Sequence, residues 1–342
     1  MGRGGKRNVI VTEEKWAKVL PKNKDLLNEF LGYFSSIDRS AGTVMQYEKQ
    51  LQIFFTWNME FNANKFFVDV KKKDFVRYFG YCQNTLESSP NRMATLRAVL
   101  SSLSKYIEVF NDDEYPTFRS NVSVIELPTK VPVRKKTVLE QDDIQRALDE
   151  LIKQGKYQIA CFLSLAVACG ARKAELCRFK TSYFKDEYVV YGCLYETPEE
   201  IVTKGRGKHG KLLKKYTFVK QFKPYFELWM KERERLGIDS EWLFVTKREQ
   251  SWVQAQPATA AGWAHQISDI LGVDFYCHAC RHLWCTNLKK EGLPDDIIAA
   301  LQGWESVEMC KTYNDASVSD NFGKYFGEDG IKKIDTPNLR DM

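Results

Sequence analysis

Apolar residues recur with a helical period through most of the first 124 positions. Between Ser40 and Glu60, the residues Val44, Tyr47, Leu51, Phe54 and Phe55 fall on one side of a helix. Between Asn91 and Phe110, Leu96, Val99, Leu100, Leu103, Ile107 and Phe110 do the same, and Ser89-Pro90 supplies a start signal. The other face of that helix carries Arg97, Ser101, Ser104 and Lys105. Such a face suits plain solvent or a phosphate backbone equally well. Residues 1–24 are polar and basic with little period, and a flexible arm is expected there. A helical domain is expected over 25–124.

The pattern then breaks. Leu127-Pro-Thr-Lys-Val-Pro-Val-Arg-Lys-Lys136 has two prolines that keep it extended and four cations, Lys130, Arg134, Lys135 and Lys136, without an acid. Residues 125–137 therefore read as a linker able to follow a phosphate backbone. A second domain over 138–327 begins with a helix announced by Thr137 or Glu140, and 328–342 form a tail. Within it, an apolar helix ends at Gly170 and a new one opens at Arg172. Tyr188–Tyr191 and Tyr216–Val219 are strand material, and the Lys- and Gly-rich stretch between them suits a hairpin tip. Pro294 starts a helix that buries Ile297, Ile298 and Leu301 and stops at Gly303. The expected class is mainly α with a small β-sheet, in two domains.

Composition adds limits. A chain of 342 residues, 44% hydrophobic and 28% charged, is long enough for two globular domains. The net charge is only +6, because 45 acids offset 51 bases, so any nucleic-acid surface must come from local clustering. Nine cysteines are scattered, with Cys161, Cys169 and Cys177 in apolar stretches, which suits free thiols in a reducing compartment. The longest apolar run, Ile159 to Cys169, is too short to cross a bilayer, and the N-terminus lacks an apolar signal core. A cytoplasmic, nucleoid-associated protein with no membrane partner is expected. Neither nucleotide-binding glycine pattern occurs, so bond breaking here would run without ATP.

Five segments carry candidate chemistry. In Gly170-Ala-Arg172-Lys-Ala-Glu175, the guanidinium can grip a phosphate with two N–H groups, and Glu175 one turn on can orient it. An ordinary surface ion pair has the same pattern. Thr203-Lys204-Gly-Arg206-Gly-Lys208-His-Gly-Lys211 lies in a span with seven bases and no carboxylate up to Lys220. Crowding by like charge eases proton release from a lysine, which suits a general acid for a departing oxygen; a solvated basic hairpin is the alternative. In His278-Ala-Cys-Arg281, two residues at i and i+3 can hold one phosphate. The same stretch offers Cys277, His278, Cys280, His282 and Cys285 to zinc, but no second, well-separated ligand pair accompanies them. Trp304 follows Gly303 and can donate an indole N–H without moving a proton, or simply pack in a core. Tyr313 is a phenol that nearby cations can turn into a nucleophile.

Taken in order, Arg172, Lys204, His278-x-x-Arg281, Gly-Trp304 and Tyr313 resemble the signature of the tyrosine recombinase (phage integrase) family. Gly-Ala-Arg172-Lys-Ala-Glu175-Leu resembles the first arginine box and His278-Ala-Cys-Arg281-His the second. Leu-Gln-Gly-Trp304 resembles the Leu-Gly-His pattern with Trp in place of His, and Tyr313 stands nine residues further on, where the family has its nucleophile. The resemblance spans Thr137 to Phe326 and extends more loosely to Asp25–Val124, which looks like a core-binding domain.

It implies a site-specific recombinase that cleaves and rejoins double-stranded DNA through a 3′-phosphotyrosyl intermediate and a Holliday junction, without cofactor or metal. The implied catalytic set is Arg172, Lys204, His278, Arg281, Trp304 and Tyr313 with Glu175 in support, and Lys208 is the alternative to Lys204. Implied DNA contacts are Arg97, Lys105, Lys130, Arg134, Lys135, Lys136, Arg206, Lys208 and Lys211. The two domains would form a C-shaped clamp on the duplex. Members work as homotetramers on two DNA sites, some with an accessory DNA-bending or directionality factor, and Phe322, Tyr325 and Phe326 could dock on a neighbour. Residues before Asp25 leave little room for an arm-binding domain in an integrase of a phage or mobile element. A type IB topoisomerase, a telomere-resolving enzyme and a DNA-binding protein without catalysis remain as alternatives.

Overall fold

The computed structural model describes residues 10–129, 137–205 and 209–314, together with the backbone of two short strands, Phe326–Gly327 and Gly330–Ile331. Lys130, Arg134, Lys135, Lys136, Arg206, Lys208, Phe322, Tyr325 and the side chain of Phe326 lie outside the described residues. The chain divides into two compact units, with the boundary after Lys135.

The first unit is helical: α1 (Glu13–Lys18), α2 (Pro21–Ser36), α3 (Ala41–Phe61), α4 (Lys72–Asn84) and α5 (Pro90–Phe110). Hydroxyl side chains start several of them, as their short reach predicts. Thr12 accepts the Lys15 N–H, Ser40 that of Thr43 and Ser89 that of Arg92. Phe54 lies at the centre, ring to ring with Phe55, Trp57, Phe67, Phe75 and Tyr78.

Three expectations need correction here. The arm expected through residue 24 is helical from Glu13, and Val19 belongs to the core. Asn23 is buried too, donating to the Lys65 carbonyl at 2.9 Å and accepting the Phe67 N–H at 3.0 Å. Ser104 is buried, not on the outer face, and Phe110 is exposed, not in the core. The segment after α5 packs against the face assigned to solvent: Val122 joins the core, and Arg97 on that face donates to the Ile125 carbonyl.

The second unit is built around α7 (Tyr157–Cys169). Every residue from Ile159 to Cys169 is buried, as a helix apolar on all sides requires. Helices α6 (Gln141–Lys153), α9 (Val219–Arg235) and α11 (Cys277–Lys290) pack around it. Glu140 caps α6 in a reciprocal pair with Asp143. The shorter helices are α8 (Lys173–Leu176), α10 (Pro257–Leu271), α12 (Asp295–Gln302) and α13 (Glu308–Tyr313). Among the described residues, no helix is long and apolar enough to cross a membrane.

The β region is richer than one hairpin. Strands β1 (Val189–Val190), β2 (Leu194–Glu196) and β5 (Tyr216–Phe218) form an antiparallel sheet in the order β1-β2-β5, with Val189 opposite Tyr195 and Tyr195 opposite Thr217. Tyr191 and Gly192, both at positive φ, turn β1 directly onto β2. The two expected strands thus flank a third, and Val219 begins α9 rather than ending a strand. A separate hairpin, β3 (Ile201–Thr203) with β4 (Lys211–Leu213), rises between β2 and β5. Strands β6 (Val245–Arg248) and β7 (Ser251–Gln254) pair on their own. In α12, Ile298 and Ala299 are buried but Ile297 is 47% exposed, a further correction, because the inward side of this short helix runs through Ile298, Ala299 and Gln302.

Candidate active site

Arg281 is the deepest charge in the second unit. It sits one turn into α11, fully buried at 0% exposure. Its Nη1 donates to the Gly170 carbonyl at 3.0 Å and to Gln302 Oε1 at 2.8 Å. Gln302 is itself buried and returns a hydrogen bond from Nε2 to the Cys169 carbonyl at 2.7 Å. Gly170 makes this clamp feasible. It closes α7 at φ +60°, and a Cβ there would stand 2.7 Å from Gln302 Nε2 and 2.8 Å from the Trp284 ring. Nε and Nη2 of Arg281 find no partner among the described residues although both are buried. Burial first, then the charge of Arg172, draws this guanidinium below its usual proton affinity. A buried cation with two idle donors costs several kcal/mol unless an anion arrives, so roughly that much favours an oxyanion here.

Arg172 stands at the N-cap of α8, half-buried. Its Nη1 donates to Glu175 Oε1 at 3.0 Å and its backbone N–H to Glu175 Oε2 at 3.1 Å. Glu175 is 1% exposed. Burial alone would raise its carboxyl, but Lys215 and Arg172 outweigh that and hold it below the ordinary carboxylate range. Lys215 is also 1% exposed, with Nζ 3.2 Å from Glu175 Oε2.

Tyr313 ends α13 and is 5% exposed. Its hydroxyl shares a hydrogen bond with His278 Nε2 at 3.1 Å. The Trp304 ring stacks on it, centroids 5.0 Å apart and planes 12° apart. The Arg281 guanidinium carbon is 4.9 Å from the Trp304 centroid and 5.1 Å from that of Tyr313. The His282 ring closes another side at 4.8 Å. His278, Arg281, Trp304 and Tyr313 therefore meet directly: the phenol hydroxyl meets imidazole, while its ring packs in an apolar cluster with Trp284, Cys285 and Ile298.

The β3–β4 hairpin approaches the same place through β4. Lys211 Nζ donates to the Gly303 carbonyl at 3.3 Å. Leu213 packs so close to Gly303 that a Cβ on that glycine would lie 2.3 Å from Leu213 Cδ1. Arg178 binds the Val202 carbonyl and secures β3. Lys204, just past β3, is exposed, and no hydrogen bond ties it to the other five among the described residues. In the first unit, Arg97 donates to the Ile125 carbonyl at 2.8 Å, and exposed Lys105 lies 4.0 Å from Glu108. Arg97 thus already spends one donor on its own backbone. Among the described residues, no group of three or more His, Cys, Asp or Glu stands together as metal ligands would.

Sequence reasoning missed Gln302 and Lys215. Gln302 was legible only as part of a helix end, and Lys215 only as one of seven bases. A glutamine on the inward side of α12, in register with Ile298, was the one available signal.

Comparison with known proteins fits this geometry. The model of the phage integrase family matches residues 137–319. A recombinase-like protein, YomM, from the SPbeta prophage of Bacillus subtilis is 32% identical over 267 residues, covering 77% of each chain. The Tn1549 transposon integrase in complex with transposon right end DNA superposes with a TM-score of 0.65 at 14% identity, over 87% of this chain and 97% of its own. A lambda integrase tetramer bound to a Holliday junction gives 0.61 at 16%, over 85% and 77%. The chain belongs to the phage integrase family of tyrosine recombinases.

Proposed function

We propose that the protein is a site-specific DNA recombinase that cuts and rejoins strands through Tyr313. One observation carries the reading: a phenol hydroxyl hydrogen-bonded to His278 beside a buried guanidinium with two idle donors. In the first step the Tyr313 oxygen bonds to the scissile phosphorus and the P–O5′ bond breaks. The phenolic proton passes to His278 Nε2, and Lys204 protonates the departing 5′ oxygen. Arg172, Arg281 and the Trp304 indole N–H take the growing charge on the phosphoryl oxygens. The product is a 3′-phosphotyrosyl ester and a free 5′ hydroxyl. The bond energy stays in the ester, so the 5′ hydroxyl of a partner strand can attack it and release Tyr313.

In this reading the first unit and the Lys130–Lys136 linker grip the duplex together with the second unit. Four copies act on two sites through a Holliday junction, with or without an accessory DNA-bending factor, in the cytoplasm of the host. The family match and the assembly of the lambda integrase support this. The test is a nicked duplex carrying the repeats that flank the gene. A covalent protein–DNA band on a denaturing gel is expected, and Tyr313→Phe removes it. No band with any such DNA leaves a binding protein without catalysis. A band accompanied by supercoil relaxation but no recombinants indicates a topoisomerase.

A further inference from the structure

Lys215 has no part in the chemistry above, yet it is among the most deeply buried charges in the chain. A lysine is buried at this cost only against a counter-charge. Its backbone is fixed just ahead of β5: the N–H reaches Thr197 Oγ1 at 3.0 Å, and the carbonyl accepts the Thr197 N–H at 3.0 Å. Its side chain meets Glu175 from behind, at 3.2 Å, while Arg172 meets the other carboxylate oxygen at 3.0 Å.

The charges sum in an informative way. Arg172 and Glu175 alone would cancel, and a phosphate approaching Arg172 would see little net field. With Lys215 the trio carries one positive charge. We propose that Lys215 is a positioning residue that neutralises Glu175, so that Glu175 aligns Arg172 without cancelling the charge Arg172 presents to a phosphate. This rests on the recombinase reading of the pocket.

The other charged or titratable groups around the trio are few. Burial pushes the Cys169 thiol up to about 11 against the pull of Lys215, so it stays neutral. Arg281 is the remaining charge that senses Glu175. Glu175 is thus the anion that Lys215 answers. Because the folded-state affinity of Glu175 for its proton is depressed, the carboxylate survives as pH falls, and removing Lys215 must raise the pH at which it protonates.

The test uses the full chain as Lys215→Met, Glu175→Gln and the double variant. In Lys215→Met, single-turnover adduct formation at saturating nicked DNA should fall roughly tenfold or more, with DNA affinity by fluorescence anisotropy nearly unchanged. The 13C carboxyl resonance of Glu175, assigned with Glu175→Gln, should titrate about 1–2 pH units higher. Adding Glu175→Gln to Lys215→Met should recover most of the lost rate, because a neutral amide still accepts from Arg172 and the net charge returns to +1. A lysine that merely filled space would not be rescued this way. An unchanged titration, or a double variant no faster than Lys215→Met, overturns the proposal. If Lys215→Met does not fold, the wild-type Glu175 titration decides: a midpoint at or above the ordinary carboxylate value overturns it. A wild type that forms no adduct sinks the recombinase reading, while the carboxyl titrations still judge Lys215.

Discussion

Gln302→Met is the most direct probe of the frame behind the site. The substitution keeps the volume and apolar stem but deletes both polar atoms. Arg281 Nη1 loses its 2.8 Å acceptor and keeps only the Gly170 carbonyl, and the Cys169 carbonyl loses its 2.7 Å donor. A hydrogen bond to a charged group contributes about 1.5–3 kcal/mol and a neutral one about 1 kcal/mol. The second unit should therefore lose about 2.5–4 kcal/mol, taken as the sum of the two. Urea unfolding followed by tryptophan fluorescence reads this well, because six of the eight tryptophans, from Trp229 to Trp304, lie in the second unit. The adduct rate should fall roughly tenfold to a hundredfold, as for loss of an outer partner of a site group. Gln302→Glu separates the two bonds: it keeps the acceptor for Arg281 but turns a second lone pair toward the Cys169 carbonyl, so it should lose stability yet retain more rate than Met. A midpoint shift worth less than about 1 kcal/mol, the net worth of one ordinary hydrogen bond, together with an unchanged rate, would refute the claim that Gln302 holds Arg281 in place.

Other consequences follow from the same geometry. Gly303→Ala should destabilise the second unit by about 2–4 kcal/mol, from left-handed backbone strain at φ +66° plus overlap with Leu213, and adding Leu213→Ala should recover the overlap part in the same urea assay. Burial pushes the thiols of Cys277 to about 11 and Cys285 to about 12, so both stay protonated at pH 8; mass spectrometry after brief iodoacetamide treatment should find exposed Cys193 labelled first. Tyr313 touches the His278 of its own chain, so cleavage should occur within one subunit. Mixing Tyr313→Phe with Arg172→Ala protein should then yield no adduct, and an adduct would show delivery between subunits.

Much of this was legible along the chain because helices advertise themselves through period and punctuation. The run Ile159 to Cys169 needs burial on every side and is the centre of the second unit. Gly170 and Gly303 mark helix ends because a left-handed residue was required at both. What failed depended on distant chain. Ser104 reads as polar surface, but the segment after α5 packs back onto that helix, and the Ser104 hydroxyl is satisfied locally by the Leu100 carbonyl. The order β1-β2-β5 could not be read from two strand-like stretches, since it follows from a tight turn at Tyr191-Gly192 and from a hairpin inserted between its partners. Lys215 looks like Lys214 in the sequence, and only the sheet decides that one enters the core while the other stays outside.

In the proposed reaction, Trp304 needs to brace the site rather than move a proton. An imidazole could carry a proton there, but the His278 ring already meets the phenol hydroxyl at 3.1 Å. What the pocket lacks is a surface to keep a buried guanidinium and a phenol in register. The broad indole face supplies it, lying parallel to Tyr313 and within 4.9 Å of the Arg281 guanidinium carbon. Its Nε1 is buried without a partner among the described residues, one more donor held ready beside Nε and Nη2 of Arg281. Three buried donors beside the Tyr313 ring are costly when unsatisfied and are well matched by a single group with several oxygens, such as the phosphodiester of the proposed reaction.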